Sequence, residues 1–187
     1  MSALLEPTQT TTKFVGGMLT AVFALALALI QPWEGYSSRP YRDIANVLTV
    51  CHGHTGNVEN REYSADECGR LLASDMGQAW QVVERCISAR MTDYQAAAML
   101  SFAYNVGPGR VSAPGTNNGK DGLCTLKSGA QPRIRVYANQ GRWDLACAQL
   151  PYWVFAGGQR SRGLANRRAA EQAMCEGRMG ATQGATQ

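Results

Sequence analysis

Several kinds of functional site are missing from the sequence. His52 and His54 are its two histidines, and there is no H-E-x-x-H motif. None of its six cysteines belongs to a C-x-x-C pair, so the spacing of a zinc ribbon is also absent. Lysines and arginines do not cluster with aromatic residues, and the formal net charge of +4 is small. The sequence therefore predicts no metal, no cofactor and no nucleic-acid partner.

The length of 187 residues suits one domain with terminal extensions. The mildly basic pI, near 8.8, suits an anionic cell-wall polymer. An even number of cysteines favours disulfide bonds in an oxidising compartment and leaves their connectivity open. The cysteines are Cys51, Cys68, Cys86, Cys124, Cys147 and Cys175.

Residues 14–30, FVGGMLTAVFALALALI, contain no charge. As a helix they would be roughly 25 Å long, slightly less than a hydrocarbon core of about 30 Å. Three interpretations are open: a signal peptide cleaved at Ala26-Leu27-Ala28, a helix buried in a protein core, and an uncut membrane tether, which we favour. Lys13 before the run and Glu34 after it favour a cytoplasmic N-terminus.

The two ends of the chain are predicted to be disordered. Residues 1–13 are polar and rich in threonine, and the last eight residues repeat the tetrapeptide GATQ. We therefore expect a disordered tail over residues 178–187 and one folded domain over residues 31–177.

Glu34, Asp43 and Thr49 follow the apolar run directly. Glycoside hydrolysis needs one carboxylic acid to protonate the leaving oxygen and a second, ionised carboxylate. Glu34 and Asp43 can divide these roles if a turn brings them to opposite walls of a cleft. The Thr49 hydroxyl both donates and accepts, so it can hold a water beside Asp43. From the spacing alone, two solvated surface acids are the alternative.

The remaining patterns predict an α+β fold that is mostly helical. Residues 41–56 read as a β-hairpin or three-stranded flap. Ser64 with Glu67, and Thr92 with Gln95, are capping boxes that open two helices, the first joining two lobes and the second ending before Gly107. Further helices are predicted over residues 132–140, 142–150 and 164–176, with a loop over residues 108–124.

Three ordered motifs resemble the phage-type lysozymes, glycoside hydrolase family 24. The first is Glu34, Asp43 and Thr49 followed by Gly53-His54. The others are SFAYNVG over residues 101–107 and the stretch over residues 153–171. The resemblance covers residues 33–176 and implies a two-lobed lysozyme fold with a small β-flap, whose catalytic domain is residues 31–177.

The resemblance implies hydrolysis of the β-1,4 bond between N-acetylmuramic acid and N-acetylglucosamine in peptidoglycan. Glu34 would be the general acid, Asp43 the carboxylate that activates or positions water, and Thr49 its partner on that water. A lytic transglycosylase, which needs one glutamate and yields 1,6-anhydro sugars, is an alternative. A peptidoglycan-binding module without catalysis is another.

The resemblance also implies a substrate-binding edge at Tyr104, Asn105 and Gly107, and it makes His54 structural. For Asn105, a helix C-terminal cap is an equal alternative. Arg167 is the one arginine that we expect to contact substrate. It belongs to the densest positive patch of the sequence, which is either a surface for an anionic envelope or a solvated, ion-paired face. The patch comprises Arg160, Arg162, Arg167 and Arg168.

An apolar N-terminal segment is similar to that of the signal-arrest-release endolysins, a subset of the family. This resemblance implies export through the host secretion translocon, an inactive form tethered to the inner membrane and facing the periplasm, and release into the periplasm when a holin depolarises the membrane. Glu34 lies four residues past Ile30, so a spanning segment would hold it at the membrane interface. We therefore predict that tethering inactivates the enzyme by displacing Glu34.

Overall fold

A computed structural model describes residues 21–43, 46–109 and 119–178 of the chain. The predicted disordered segment 1–13, the first part of the apolar run and residues 179–187 of the predicted tail lie outside these ranges. Six α-helices occur within them: α1 Ala21–Ile30, α2 Ala65–Cys86, α3 Asp93–Val106, α4 Arg133–Asn139, α5 Trp143–Cys147 and α6 Arg162–Cys175.

Four short strands of the described ranges form two antiparallel pairs. Strands β1 (Ser37–Arg42) and β2 (Leu48–Cys51) form a hairpin in which Tyr41 lies opposite Thr49. Strands β3 (Phe155–Ala156) and β4 (Gln159–Arg160) form a smaller hairpin before α6. The fold is thus α+β and mostly helical, as predicted.

Both predicted capping boxes are confirmed. The Ser64 side chain accepts from the Glu67 N–H, and the Glu67 side chain accepts from the Ser64 N–H at the start of α2. Thr92 and Gln95 make the same reciprocal contacts at the start of α3. Gly107, with φ of 71°, ends α3 where the sequence predicted the stop, because a left-handed residue after a helix favours glycine.

Two predicted boundaries were wrong. The hairpin begins at Ser37 rather than Tyr41, and its third strand is reduced to a single bridge between Val50 and His54. The helix predicted over residues 142–150 ends at Cys147, and a 3-10 turn over Leu150–Tyr152 follows. Pro151 lies near the start of that turn, where its missing N–H leaves no hydrogen bond unmade.

The described part of the apolar run is a core helix. One face of α1 packs against α3 and α6, while Ala24 and Ala28 on the other face are exposed. The buried residues of α1 recur at helical spacing, which is the pattern of a helix buried on one side. Its buried residues are Val22, Phe23, Ala26, Leu29 and Ile30. No helix within the described ranges is long and apolar enough to span a membrane.

All six cysteines form disulfide bonds, and these settle the connectivity that the sequence left open. Cys51–Cys68 ties β2 to the first turn of α2. Cys86–Cys124 ties the end of α2 to the loop before α4. Cys147–Cys175 joins the ends of α5 and α6. Disulfide bonds form and persist in oxidising compartments, so these three bonds are consistent with the compartment predicted from the cysteines.

Candidate active site

A cleft of about 660 Å³ lies between the end of the first hairpin, the middle of α2 and the end of α3. Glu34 lies in it, at the turn that follows α1. The cleft brings together five of the residues that the sequence selected, namely Glu34, His54, Tyr104, Asn105 and Gly107. It is open and lined by polar and apolar groups, as a groove for a saccharide chain must be.

Glu34 is held by a charged hydrogen bond from the last helix. Its Oε1 accepts from Arg167 Nη1 at 2.6 Å, while its N–H donates to the Ile30 carbonyl at 3.3 Å. The Arg167 side chain is 4 % exposed and that of Glu34 is 20 % exposed. The carboxyl group is therefore anchored on its buried side and remains accessible from the cleft.

The Arg167 guanidinium is itself fixed by α3 and α6. Its Nε donates to Glu171 Oε1 at 3.2 Å, and its Nη2 donates to the Ser101 carbonyl at 3.2 Å. The Ser101 hydroxyl also donates to Glu171 Oε1, at 2.7 Å. Burial raises the pKa of Glu171, and the charges of Arg168 and Arg167 counter that rise. These contacts leave Arg167 little freedom to move away from Glu34.

The second oxygen of Glu34 faces Gly53, just after β2. Gly53 has φ of +84°, and a Cβ placed there would lie 3.4 Å from Glu34 Oε2. An arginine donates hydrogen bonds and cannot accept them, so Oε1 must accept from Arg167. A proton on this carboxyl group would therefore reside on Oε2, and glycine leaves space beside that oxygen.

Asp43 and Thr49 are brought together at the turn of the first hairpin, around Val47. The Val47 carbonyl accepts from the Asp43 N–H and from the Thr49 hydroxyl, both at 3.0 Å. The Val47 N–H in turn donates to Asp43 Oδ1 at 2.9 Å. Among the described residues that line the cleft with Glu34, neither Asp43 nor Thr49 is found. The structure thus ties both residues to Val47.

Tyr104 and His54 connect the walls of the cleft. The Tyr104 hydroxyl donates to the His52 carbonyl at 3.0 Å, and burial, with the charges of Glu34 and Asp75, raises the pKa of Tyr104 above its usual range. His54 Nε2 donates to the Gly56 carbonyl at 2.6 Å, while Nδ1 lies 2.9 Å from Asp75 Oδ2 on α2. These contacts hold the hairpin to α2 and α3.

The sequence of this domain matches a known family over most of its length. A family model described as "Phage lysozyme" matches residues 31–171, which is more than half of the chain. The chain belongs to the phage lysozyme family. It is a glycoside hydrolase of the lysozyme type and an endolysin, and this family implies peptidoglycan as the substrate.

Relatives and solved structures agree with this assignment. The lysozyme is 37 % identical to the "SAR-endolysin" of Escherichia phage Mu over 142 residues, 75 % of this chain and 72 % of that protein. It is 34 % identical to the "SAR-endolysin" of Pseudomonas phage phiKMV over 160 residues, 83 % and 88 % of the two chains. Its fold is similar to the crystal structure of the active form of the P1 phage endolysin Lyz, with a TM-score of 0.68, 25 % identity and 86 % of each chain covered.

The positive patch predicted on this lysozyme is not one surface. Arg160 and Arg162 are exposed, whereas Arg167 and Arg168 are buried at 3 % and 0 % exposure. The last two face the interior because Glu171, one turn along α6, supplies a buried counter-charge. Arg167 contacts Glu34 rather than the open cleft, so its contact with substrate stays a prediction.

Sequence reasoning gave no role to several other residues of this lysozyme's site, although Gly53 and Ser101 belong to the motifs that carry the resemblance. Glu171 lies four positions after Arg167 on one helix, and that spacing is a readable ion-pair pattern. Ser101, Gly53 and Asp75 carried no such local pattern, because their partners are distant in sequence. Among the described residues, no group of three or more histidines, cysteines or acids could hold a metal ion.

Proposed function

We propose that this endolysin hydrolyses the β-1,4 bond between N-acetylmuramic acid and N-acetylglucosamine, with Glu34 as general acid. The observation that carries the proposal is the Glu34 carboxyl group, which is anchored by Arg167 at one oxygen and faces the cleft. Its Oε2 gives a proton to the glycosidic oxygen, the bond to the anomeric carbon breaks, and water adds to that carbon.

In this proposal Asp43 and Thr49 bind the water that attacks the anomeric carbon. The Thr49 hydroxyl donates to the Val47 carbonyl, so its lone pairs can accept a hydrogen bond from the water. A carboxylate has about four acceptor positions, so Asp43 can accept from the water as well as from the Val47 N–H. Asp43 takes up the proton that the water loses as the water adds to the anomeric carbon.

Tyr104, Asn105 and Gly107 form the substrate-binding edge of the cleft. They occupy the last turn of α3 and the position after it, where they line the same groove as Glu34. Asn105 has an amide that can contact a saccharide, and Gly107 exposes backbone to it. Arg167 positions Glu34 from the buried side of its carboxyl group. His54 holds the hairpin to α2 through its contact with Asp75.

Release of reducing ends from purified peptidoglycan by the Glu34→Gln variant tests the assignment. We expect a loss of nearly all turnover with a folded protein, because the amide cannot donate a proton to the leaving oxygen. Glu84→Gln, an exposed position on α2, is the matched control and should keep full turnover. Near-normal turnover by Glu34→Gln contradicts the role. Product masses lighter by one water would instead indicate a lytic transglycosylase.

The location and control of the enzyme are also proposed. Residues 14–30 take the chain through the host secretion translocon and tether it to the inner membrane, facing the periplasm, until a holin depolarises the membrane and the enzyme enters the periplasm. Support comes from α1, whose contacts with α3 and α6 bury its last residue, Ile30, four positions before Glu34. A segment withdrawn into a bilayer cannot make these contacts, so Glu34 is displaced while the tether lasts.

Two measurements test this control. The rate of peptidoglycan cleavage by membranes that carry the tethered form should be far below that of the released form at equal protein, and equal rates contradict the proposal. The intact mass of soluble protein from the periplasm separates the two kinds of release. A full-length mass supports an uncut segment, whereas loss of residues 1–28 supports cleavage after Ala28.

A further inference from the structure

Arg168 is a buried cation that the reaction proposed above does not use. Its side chain has no exposed surface, although it is next to Arg167 in the sequence. Its Nε lies 3.1 Å from Glu171 Oε2, and its guanidinium carbon lies 4.8 Å from the centre of the Phe102 ring. Burial lowers the pKa of Arg168 to about 10, so the group remains charged at neutral pH. The ion pair with Glu171 and the contact with the Phe102 ring restrict how the guanidinium can turn.

The remaining contact of Arg168 reaches the edge of the cleft. Its Nη2 donates to Asn105 Oδ1 at 2.8 Å. Because a guanidinium carries donors and no acceptor, the oxygen of the amide must be the atom that faces Arg168. The Asn105 Nδ2 group is thereby turned away from Arg168. The orientation of an amide that would otherwise be free to flip is thus determined by a residue behind it.

Asn105 occupies a position that a long substrate must pass. It lines the cleft that contains Glu34, and it also lines a second cavity of about 710 Å³ beside β3. A saccharide chain that extends from one cavity to the other would therefore run alongside the Asn105 amide. With its oxygen already bound, this amide presents hydrogen-bond donors to the chain.

We propose that Arg168 is a positioning residue that fixes Asn105 as a hydrogen-bond donor for the carbonyl oxygen of an N-acetyl group. The inference rests on the proposed function, since it takes the peptidoglycan glycan as the ligand. An acetamido carbonyl accepts hydrogen bonds and fits a donor. Removal of the acetyl group leaves an ammonium, which can only donate, so two donors would face each other. The site then selects N-acetylated glycan over de-N-acetylated glycan.

The selectivity is measured as kcat/KM on one peptidoglycan preparation, before and after partial chemical de-N-acetylation. The unaltered enzyme should prefer the acetylated polymer by at least about fivefold, which is the effect of leaving one buried polar group unpaired. Asn105→Asp has nearly the same shape and replaces the donor with a carboxylate oxygen, so we expect the preference to disappear or to reverse. An unchanged preference in Asn105→Asp overturns the inference.

Arg168→Lys separates positioning from a merely structural role. Lysine keeps the charge near Glu171 but has a single nitrogen at its end, so it cannot also hold Asn105. We expect the ratio of kcat/KM on acetylated to de-N-acetylated polymer to fall towards one in Arg168→Lys. Without the Asn105 amide there is nothing for Arg168 to position, so Asn105→Ala and the double variant Asn105→Ala/Arg168→Lys should have the same ratio. If Arg168→Lys lowers the rate on both polymers by one common factor, Arg168 is only structural and the inference is wrong.

Binding distinguishes failure of this inference from failure of the proposed reaction. In the Glu34→Gln background, which leaves Asn105 and Arg168 in place, acetylated and de-N-acetylated glycan strands are titrated by calorimetry. A preference of several-fold in Kd that Asn105→Asp removes supports the donor site even if no bond is cleaved by the unaltered enzyme. Equal Kd values for the two strands overturn the donor site even if hydrolysis proceeds.

Discussion

Arg167 Nη1 donates to Glu34 Oε1 over 2.6 Å, and this contact joins the residue four positions past α1 to the last helix of the domain. The two residues are separated by 133 positions in the sequence. Since Glu34 follows α1 directly, the acid reaches Arg167 when α1 packs against α3 and α6. The packing of α1 therefore places Glu34 within reach of Arg167.

Arg167→Lys is expected to reduce kcat with a smaller effect on KM. A lysine keeps one positive charge but cannot contact Glu34, Glu171 and the Ser101 carbonyl together. Misplacement of a reacting group by about 1 Å costs about 100-fold in rate, and we expect a loss of that order. The measurement is steady-state release of reducing ends from peptidoglycan, with folding followed by melting temperature.

Arg162→Lys is the matched control for this change, because Arg162 lies on the same helix and is exposed. It should leave both kcat and Tm close to those of the unaltered enzyme. If Arg167→Lys retains its kcat, or if it loses no more than Arg162→Lys does, then Arg167 does not position Glu34.

Gly53→Ala tests the space beside the second oxygen of Glu34. The substitution places a methyl group 3.4 Å from Oε2 at a residue with φ of +84°, so we expect a lower kcat and a loss of about 1 kcal/mol in stability. Gly141→Ala imposes the same backbone cost, since Gly141 has φ of +71°, but nothing lies within 4 Å of its added Cβ. Equal kcat values for the two variants, per folded molecule, would show that Gly53 has no role beside the acid.

The parts of the fold that the sequence predicted are those with local causes. The capping boxes at Ser64 and Thr92 involve residues three positions apart, so their pattern is complete in a short window. Strand β1, SSRPYR, was partly missed because it has few residues that favour strands and forms through pairing with Leu48–Cys51. Its extent is decided by a partner rather than by its own sequence.

The candidate site likewise has a part that the sequence predicted and a part that depends on distant partners. Glu34, Asp43 and Thr49 were selected by residue type and by resemblance, and their roles remain predictions. The burial of Arg167 and Arg168 was not predicted, because their partners Glu34, Ser101 and Asn105 lie 133, 66 and 63 positions away. A run of arginines looks like a surface patch until the distant groups that neutralise and orient it are known.

Glu67 is expected to make stability depend on acid pH. The hydrogen bond from Arg61, helped by the backbone and hydroxyl of Ser64, lowers the pKa of Glu67 from 4.5 to about 2. A lowered pKa in the folded state gives stability that is present above pH 4.5 and is lost as pH falls to about 2. Glu67→Gln should therefore be less stable at neutral pH, and its difference from the unaltered protein should shrink over that interval.

Denaturant unfolding at a series of pH values between neutrality and 2 measures this effect. Glu84→Gln is the control, because Glu84 is an exposed glutamate of the same helix that lies far from the capping box. Its difference from the unaltered protein should not follow the same acid profile. A Glu67→Gln difference that stays constant with pH would contradict the assignment to this carboxyl group.

The packing of α1 in the domain can be separated from its proposed membrane residence by two substitutions on opposite faces. Ala26 is fully buried and Ala24 is exposed, two positions away in the same apolar run. An aspartate at either position raises the free energy of membrane insertion to a similar degree, but only Ala26→Asp forces a carboxylate into the core of the folded domain. We expect Ala26→Asp to undock α1, to displace Glu34 and to abolish most peptidoglycan cleavage, whereas Ala24→Asp keeps the activity. Loss of activity in both variants, or in neither, would show that the packed face of α1 does not place the acid.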